Sequence, residues 1–255
     1  MNGAHLLVHT LLDAGVDTCF TNPGTSEMHF VAALDSVPGM RCVLGLFEGV
    51  VTGAADGYSR LADRPASTLL HLGTGLANGL ANLHNAKKAG SGIVNIVGDH
   101  ARAHLALDAP LTSDVHGVAR PMSHWVHTST STDSLATDGR KAVVQARARP
   151  GRIATLTLPA DLAWSEAGVP SPVLGGVPRA EPASLEDVAV RAAATALRTD
   201  GARTLLLLGG EALRARATQW AGRIQAATGC AVMSEFYGPR IERGAGRVAV
   251  PRVPY

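Results

Sequence analysis

The chain has 255 residues, 46% of them hydrophobic and 4% aromatic, with 23 basic against 21 acidic side chains and a formal net charge of +2. This is a globular composition, long enough for one large domain or two modest ones, whose core has to be built from Ala, Val, Leu and Ile. Interspersed charge excludes a basic arm for nucleic acid, no apolar run approaches the ~20 residues that cross a bilayer, and three scattered cysteines (Cys19, Cys42 and Cys230) exclude a disulfide framework or a Cys-built zinc site. The opening MNGAHLLVHTLLDAG lacks a basic start and a small-residue cleavage site, so the expectation is a soluble, cytoplasmic protein.

In chain order, Leu6, Leu7, Thr10, Leu11 and Ala14 share one helical face over 3–14, and Gly15 stops that helix. Residues 18–21 read as a short strand broken by Asn22-Pro23-Gly24. A helix over 26–34, a strand over 41–47 and a helix over 48–61 follow. Then come a buried strand over 66–72, a turn at Gly73-Thr74-Gly75, a helix over 76–89 and a buried strand over 92–98. Continuous apolar strands alternating with helices predict an α/β, doubly wound parallel sheet. The stretch 99–134, rich in His, Asp, Pro and Ser, yields no assignment. A helix over 138–149 and a strand over 153–158 complete a first domain of residues 1–165.

Residues 166–183 are dense in Pro and Gly without a period, as in an interdomain linker. After them Ser184 and Asp187 suggest a capping-box start to a helix ending near Arg198. The run TLLLLGG reads as a strand, 211–228 as a helix and AVMSEF as another strand. Two strands and two helices bury too little surface for independent stability, so 184–255 reads as an incomplete second α/β domain.

Ligands of open parallel sheets bind at the carboxyl ends of strands. Three predicted strand ends carry unusual chemistry: Asn22-Pro23-Gly24-Thr25-Ser26-Glu27, Phe47-Glu48-Gly49 and His71-Leu72-Gly73-Thr74-Gly75. As a dinucleotide fingerprint GTGLANG fails, because Asn78 stands where the third glycine belongs. Taken together, GVDTCFTNPGTSE, LFEGVVTGAADGYSR, LLHLGTGLANGLANLHNA and IVNIVGDH resemble the N-terminal domain of the thiamine-diphosphate enzymes that include acetolactate synthase and benzoylformate decarboxylase.

The resemblance implies that Glu48 protonates the aminopyrimidine of thiamine diphosphate, with Pro23, Gly24, Gly75 and Asn78 shaping the pocket. Apolar neighbours in sequence (Leu46, Phe47, Val50 and Val51) suggest a desolvated carboxyl suited to sharing a proton. Taken alone, Glu48 reads better as a helix-initial acid stabilised by the helix dipole, and it is the motif around it that favours the functional role. His71 is either a packed histidine or, as in benzoylformate decarboxylase, a proton relay at the reacting carbon. Thr25 either caps the next helix or contacts the substrate carboxylate. His100 and His104 stand four apart, but no third metal ligand is evident.

The resemblance implies an acetolactate-synthase-like activity, in branched-chain amino acid biosynthesis, that decarboxylates one 2-oxo acid and transfers the product unit to a second. Simple 2-oxo acid decarboxylation is the alternative, and a non-catalytic fragment or binding module is a third reading. This chain differs from many relatives in having Gly73-Thr74-Gly75 for Gly-Pro-Gly, and it lacks the His-His pair of pyruvate decarboxylases. It also lacks the Gly-Asp-Gly…Asn segment through which the family binds magnesium and the diphosphate. The expectation is therefore a chain inactive alone and holding one end of the cofactor, with flavin use undetermined. Expected partners are a small 2-oxo acid and a homodimer, homotetramer or separate C-terminal subunit.

Overall fold

The computed structural model describes residues 1–168, 177, 178, 181 and 184–254. They form two compact units, Met1–Ala180 and Glu181–Tyr255. Much of the expected linker (169–176, 179, 180, 182 and 183) lies outside the described residues.

The first unit is built on six strands: β1 (Thr18–Asn22), β2 (Arg41–Leu44), β3 (Ala66–Leu70), β4 (Ile93–Asp99), β5 (Trp125–Thr128) and β6 (Ile153–Pro159). All neighbours run parallel, in the order β2-β1-β3-β4-β6-β5. Alternate residues of the central strands face opposite cores. Leu69, Val94, Ile96, Ala154 and Leu156 pack with α1 (Gly3–Asp13), α2 (Met28–Ser36), α6 (Leu135–Ala146) and α7 (Ala160–Trp164). Leu70, Ile93, Val97 and Ile153 pack with α3 (Glu48–Ala62), α4 (Leu72–Ala89) and α5 (Val115–Ala119). This is the doubly wound parallel sheet that the apolar strand runs predict, with β3 buried at all five positions.

Several boundaries differ from the sequence reading, two of them at the predicted site. Strand β2 stops at Leu44, not 47, because after the Gly45 amide bonds the Thr21 carbonyl (2.9 Å) the chain turns away. Glu48 is therefore the first residue of α3 rather than a strand end, and the exposed Phe47 is its N-cap. Helix α4 starts at Leu72, so Gly73-Thr74-Gly75 is its first turn and not a loop; the Gly75 amide closes that turn on the His71 carbonyl at 2.8 Å. The helix expected over 138–149 is Leu135–Ala146, and the unassigned stretch supplies a 3₁₀ turn at Arg102–Leu107, α5 and the edge strand β5.

The second unit contains α8 (Asp187–Thr199), β7 (Leu205–Leu208), α9 (Ala215–Thr228) and β8 (Ala231–Ser234), with β7 and β8 parallel. Helix α8 is capped at Glu186 without a side-chain bond, so the expected Ser184–Asp187 capping box does not form. Its core is a small cluster of Leu208, Leu213, Ala221, Cys230, Val232 and Val250. Among the described residues no helix is long and apolar enough to cross a membrane.

Candidate functional site

From β1 the chain crosses outward to β2 and returns to β3 on the other side of β1. Crossovers leaving in opposite directions open a crevice above the carboxyl ends of β1 and β3, the place where sheets of this kind bind ligands. Asn22 pairs in register with Leu70, which brings Pro23 and Gly24 beside His71. The Asn22 side chain donates through Nδ2 to the Gly45 carbonyl at 2.8 Å, tying the turn after β1 to the segment leading into α3. Gly24 is required here by close approach, since its φ of −125° suits any residue but a Cβ would lie 2.4 Å from His71 Nδ1.

The second wall is set by the contact between α3 and α4, whose axes come close because small residues face each other. A Cβ on Gly79 would meet the Thr52 methyl at 2.8 Å. Thr52 Oγ1 donates to the Gly79 carbonyl at 3.0 Å, and Asn82 Nδ2 donates to the Gly49 carbonyl at 2.7 Å. This locks the start of α3 against α4, where Asn78 Nδ2 donates to Glu48 Oε2 at 3.1 Å. A Cβ placed on Gly75 would lie 3.2 Å from Glu48 Oε1 and 3.3 Å from His71 Cβ. The bare glycine thus lets the first turn of α4 sit against both Glu48 and His71, with less room between them than a methyl group ordinarily takes.

Five of the seven predicted site residues (Gly24, Glu48, His71, Gly75 and Asn78) are joined by these contacts, and Pro23 lies next to them in the turn. Thr25 opens a 3₁₀ turn, Thr25–Glu27; it is exposed and caps no helix, the N-cap of α2 being Glu27, so the capping alternative does not hold. Glu48 is only half-buried. Of its four apolar sequence neighbours Val51 is buried, but Leu46, Phe47 and Val50 are 90%, 50% and 58% exposed. They form a bare rim and do not themselves desolvate the carboxyl as the sequence reading expects. Among the described residues no group of three His, Cys, Asp or Glu side chains is placed to hold a metal ion, at His100 and His104 or elsewhere.

Sequence reasoning missed Glu27. It is 2% exposed, and its Oε2 accepts from the Gly24 amide at 2.7 Å and lies 2.7 Å from His71 Nδ1. Its Oε1 is buried without a partner, against Gly98 at the end of β4. Burial pushes the Glu27 carboxyl above its usual range, and the Gly24 amide and His71 offset only part of that. The available signal was a Glu three residues after Gly24, at capping-box spacing directly after a strand break.

Residues 1–125, which contain every residue of this site, match the model of the thiamine pyrophosphate enzyme N-terminal TPP-binding domain. Those residues belong to the thiamine pyrophosphate (thiamine diphosphate) enzyme family. The whole chain is 50% identical over 255 residues to "Putative acetolactate synthase large subunit IlvX" of Mycobacterium tuberculosis, covering 48% of that protein. Over 148 residues, 58% of this chain and 28% of the relative, it is 32% identical to benzoylformate decarboxylase of Pseudomonas aeruginosa. The solved thiamine diphosphate-dependent 4-hydroxybenzoylformate decarboxylase of Rhodococcus jostii RHA1 shares the fold. That match has a TM-score of 0.80 at 23% identity and covers 92% of this chain and 44% of that one. The chain therefore spans about half the length, or less, of these family members.

Proposed function

We propose that this chain supplies the pyrimidine-facing half of a thiamine-diphosphate enzyme that decarboxylates a 2-oxo acid. The observation that carries the reading is the Glu48 carboxyl at the start of α3, held through Oε2 by Asn78 and set against Gly75, with His71 on the far side of that glycine. An acid held this way above the carboxyl ends of β1 and β3 is suited to share a proton with a pyrimidine ring nitrogen, with His71 close by as a base. Bound thiamine diphosphate supplies the nucleophilic carbon and the electron sink for loss of carbon dioxide.

The chain's own residues divide the remaining work. Asn78 holds Glu48 Oε2, which leaves Oε1 for the ring nitrogen of the pyrimidine. Pro23, Gly24 and Gly75 shape the walls. The exposed Thr25 hydroxyl is available to the substrate carboxylate, and His71 handles the proton at the reacting carbon. Covering the bare rim of Leu46, Phe47 and Val50 with a second subunit would exclude water and strengthen the bond made by Glu48. A second copy of the chain or a separate C-terminal subunit would provide that cover. Magnesium and the diphosphate are assigned to a segment outside these 255 residues. Three free cysteines, two of them buried, suit a reducing cytoplasm.

His71, anchored at the switch point with a ring nitrogen to spare, favours proton delivery and thus simple decarboxylation. The match along all 255 residues of this chain to 48% of a protein named for acetolactate synthase favours the second reading, transfer to another 2-oxo acid. The two separate when an enzyme joining this chain to a diphosphate-binding half receives pyruvate, alone and with larger 2-oxo acids, and the products are resolved as aldehyde or acetolactate. Absence of any product dependent on thiamine diphosphate overturns both. His71→Ala should cut aldehyde formation by roughly two orders of magnitude or more, as for loss of an acid–base group, with a smaller effect on carboligation. Equal losses accompanied by a lower melting temperature would make His71 a packing residue.

A further inference from the structure

We infer that Glu27 is a positioning residue that holds neutral His71 with its proton on Nδ1, leaving Nε2 bare for proton exchange in the crevice. The inference rests on the reading of His71 as a proton relay, and three observations add to that reading. Glu27 Oε2 and His71 Nδ1 stand 2.7 Å apart, and the same oxygen takes the Gly24 amide, so the carboxylate is an acceptor fixed by backbone. Among the described residues His71 Nε2 has no hydrogen-bond partner. The Gly24 Cα packs against the ring, so closely that a methyl group there would collide with Nδ1, Cε1 and Cγ. The hydrogen bond made by one imidazole nitrogen decides which of them carries the proton.

The buried acid has a cost that packing does not explain. Its second oxygen is orphaned, and a buried unpaired oxygen of a charged group destabilises the fold. A neutral glutamine would satisfy the Gly24 amide without that charge. What the carboxylate adds is support for a cationic ring. When Nε2 takes a proton, the imidazolium faces a carboxylate at hydrogen-bond distance. When it gives the proton up, the Nε2–H bond breaks, the electron pair of the reacting carbon forms the new C–H bond, and the ring returns to the neutral Nδ1–H form. The mobile proton enters and leaves through Nε2 only, and the proton on Nδ1 stays with Glu27.

The test is nitrogen-15 NMR of histidine-labelled full chain above the imidazole titration, with the His71 signals assigned by their loss in His71→Gln. No cofactor is needed, so the outcome is independent of whether the enzyme reading holds. The expected wild-type spectrum shows Nδ1 protonated and Nε2 bare, by roughly tenfold or more, the scale of a bond to a charged group. Glu27→Met removes the acceptor and should reverse that preference in a protein that still melts cooperatively. If Glu27→Met does not fold, Glu27→Gln, which keeps a carbonyl acceptor, should retain the wild-type tautomer. A wild-type ring protonated on Nε2, an unchanged tautomer in folded Glu27→Met, or a reversed tautomer in Glu27→Gln overturns the inference.

Discussion

At the scale of single residues the site is held by a buried acid, and that acid should be visible in the stability of the protein. Burial raises the Glu27 carboxyl above its usual range. A carboxyl whose folded pKa exceeds its unfolded one favours the fold while protonated and loses that contribution as pH rises through the raised value. Glu27→Gln carries no such titration. Its melting temperature should therefore gain on wild type as pH climbs from about 4, near the unfolded value, towards 7. Parallel melting curves across that range would show that Glu27 is not ionising in a buried site. Glu48, His71, Gly24, Gly75 and Asn78 could all be picked out of the sequence, because each sits in a motif at the predicted end of a strand. Glu27 stands in the same motif as Gly24, at capping-box spacing, but its pairing with His71 depends on β1 and β3 being neighbours, which a linear spacing of 44 residues does not reveal.

At the scale of elements, the helix after β3 begins under strain. Leu72 has φ +52° and is 1% exposed, so a buried leucine occupies the left-handed region where L-residues other than Gly, Asn and Asp are rare. That conformation costs about 1–2 kcal/mol. It turns the chain directly from His71 into α4 and brings Gly75 back over the crevice. Truncating Leu72 should destabilise the protein, and the usual order of the two smallest residues should disappear. Leu72→Gly should be no worse than Leu72→Ala, whereas at the regular helical position Leu76 glycine should be worse than alanine by about 1 kcal/mol. Denaturant midpoints of the four variants check this, and a Leu72→Gly markedly less stable than Leu72→Ala would rule out the strain. Periodicity alone could not place this start: the turn chemistry of Gly73-Thr74-Gly75 reads as a loop, and nothing in the sequence marks a leucine as left-handed. Strand β5 was hidden for a different reason. Its four residues are half-exposed at the sheet edge, and WVHT carries neither an apolar run nor a clean alternation.

At the scale of the whole molecule, the two units differ in how much they bury. In the first, β3 and β6 are wholly buried and β4 nearly so. In the second, Leu205 and Leu207 of β7 are 47% and 54% exposed, and no residue of α8 is buried. Amides protected by a two-stranded sheet with one open face open at low free energy. Hydrogen exchange on the full chain should thus be much faster in β7 and β8 than in β3, β4 and β6, and equal protection would show that the second unit is as stable as the first. The assembled enzyme is also where the reading of the site meets its most direct test. The account makes Glu48 the acid that engages the cofactor's pyrimidine, with Asn78 holding its other oxygen. Glu48→Gln keeps size and hydrogen bonding but has no proton to transfer. The decisive measurement is the rate of hydrogen–deuterium exchange at the thiazolium carbon of thiamine diphosphate, in wild type and Glu48→Gln of an enzyme that includes the diphosphate-binding half. The account predicts a fall of roughly two to four orders of magnitude, the scale of a general acid–base group; an unchanged exchange rate would contradict it.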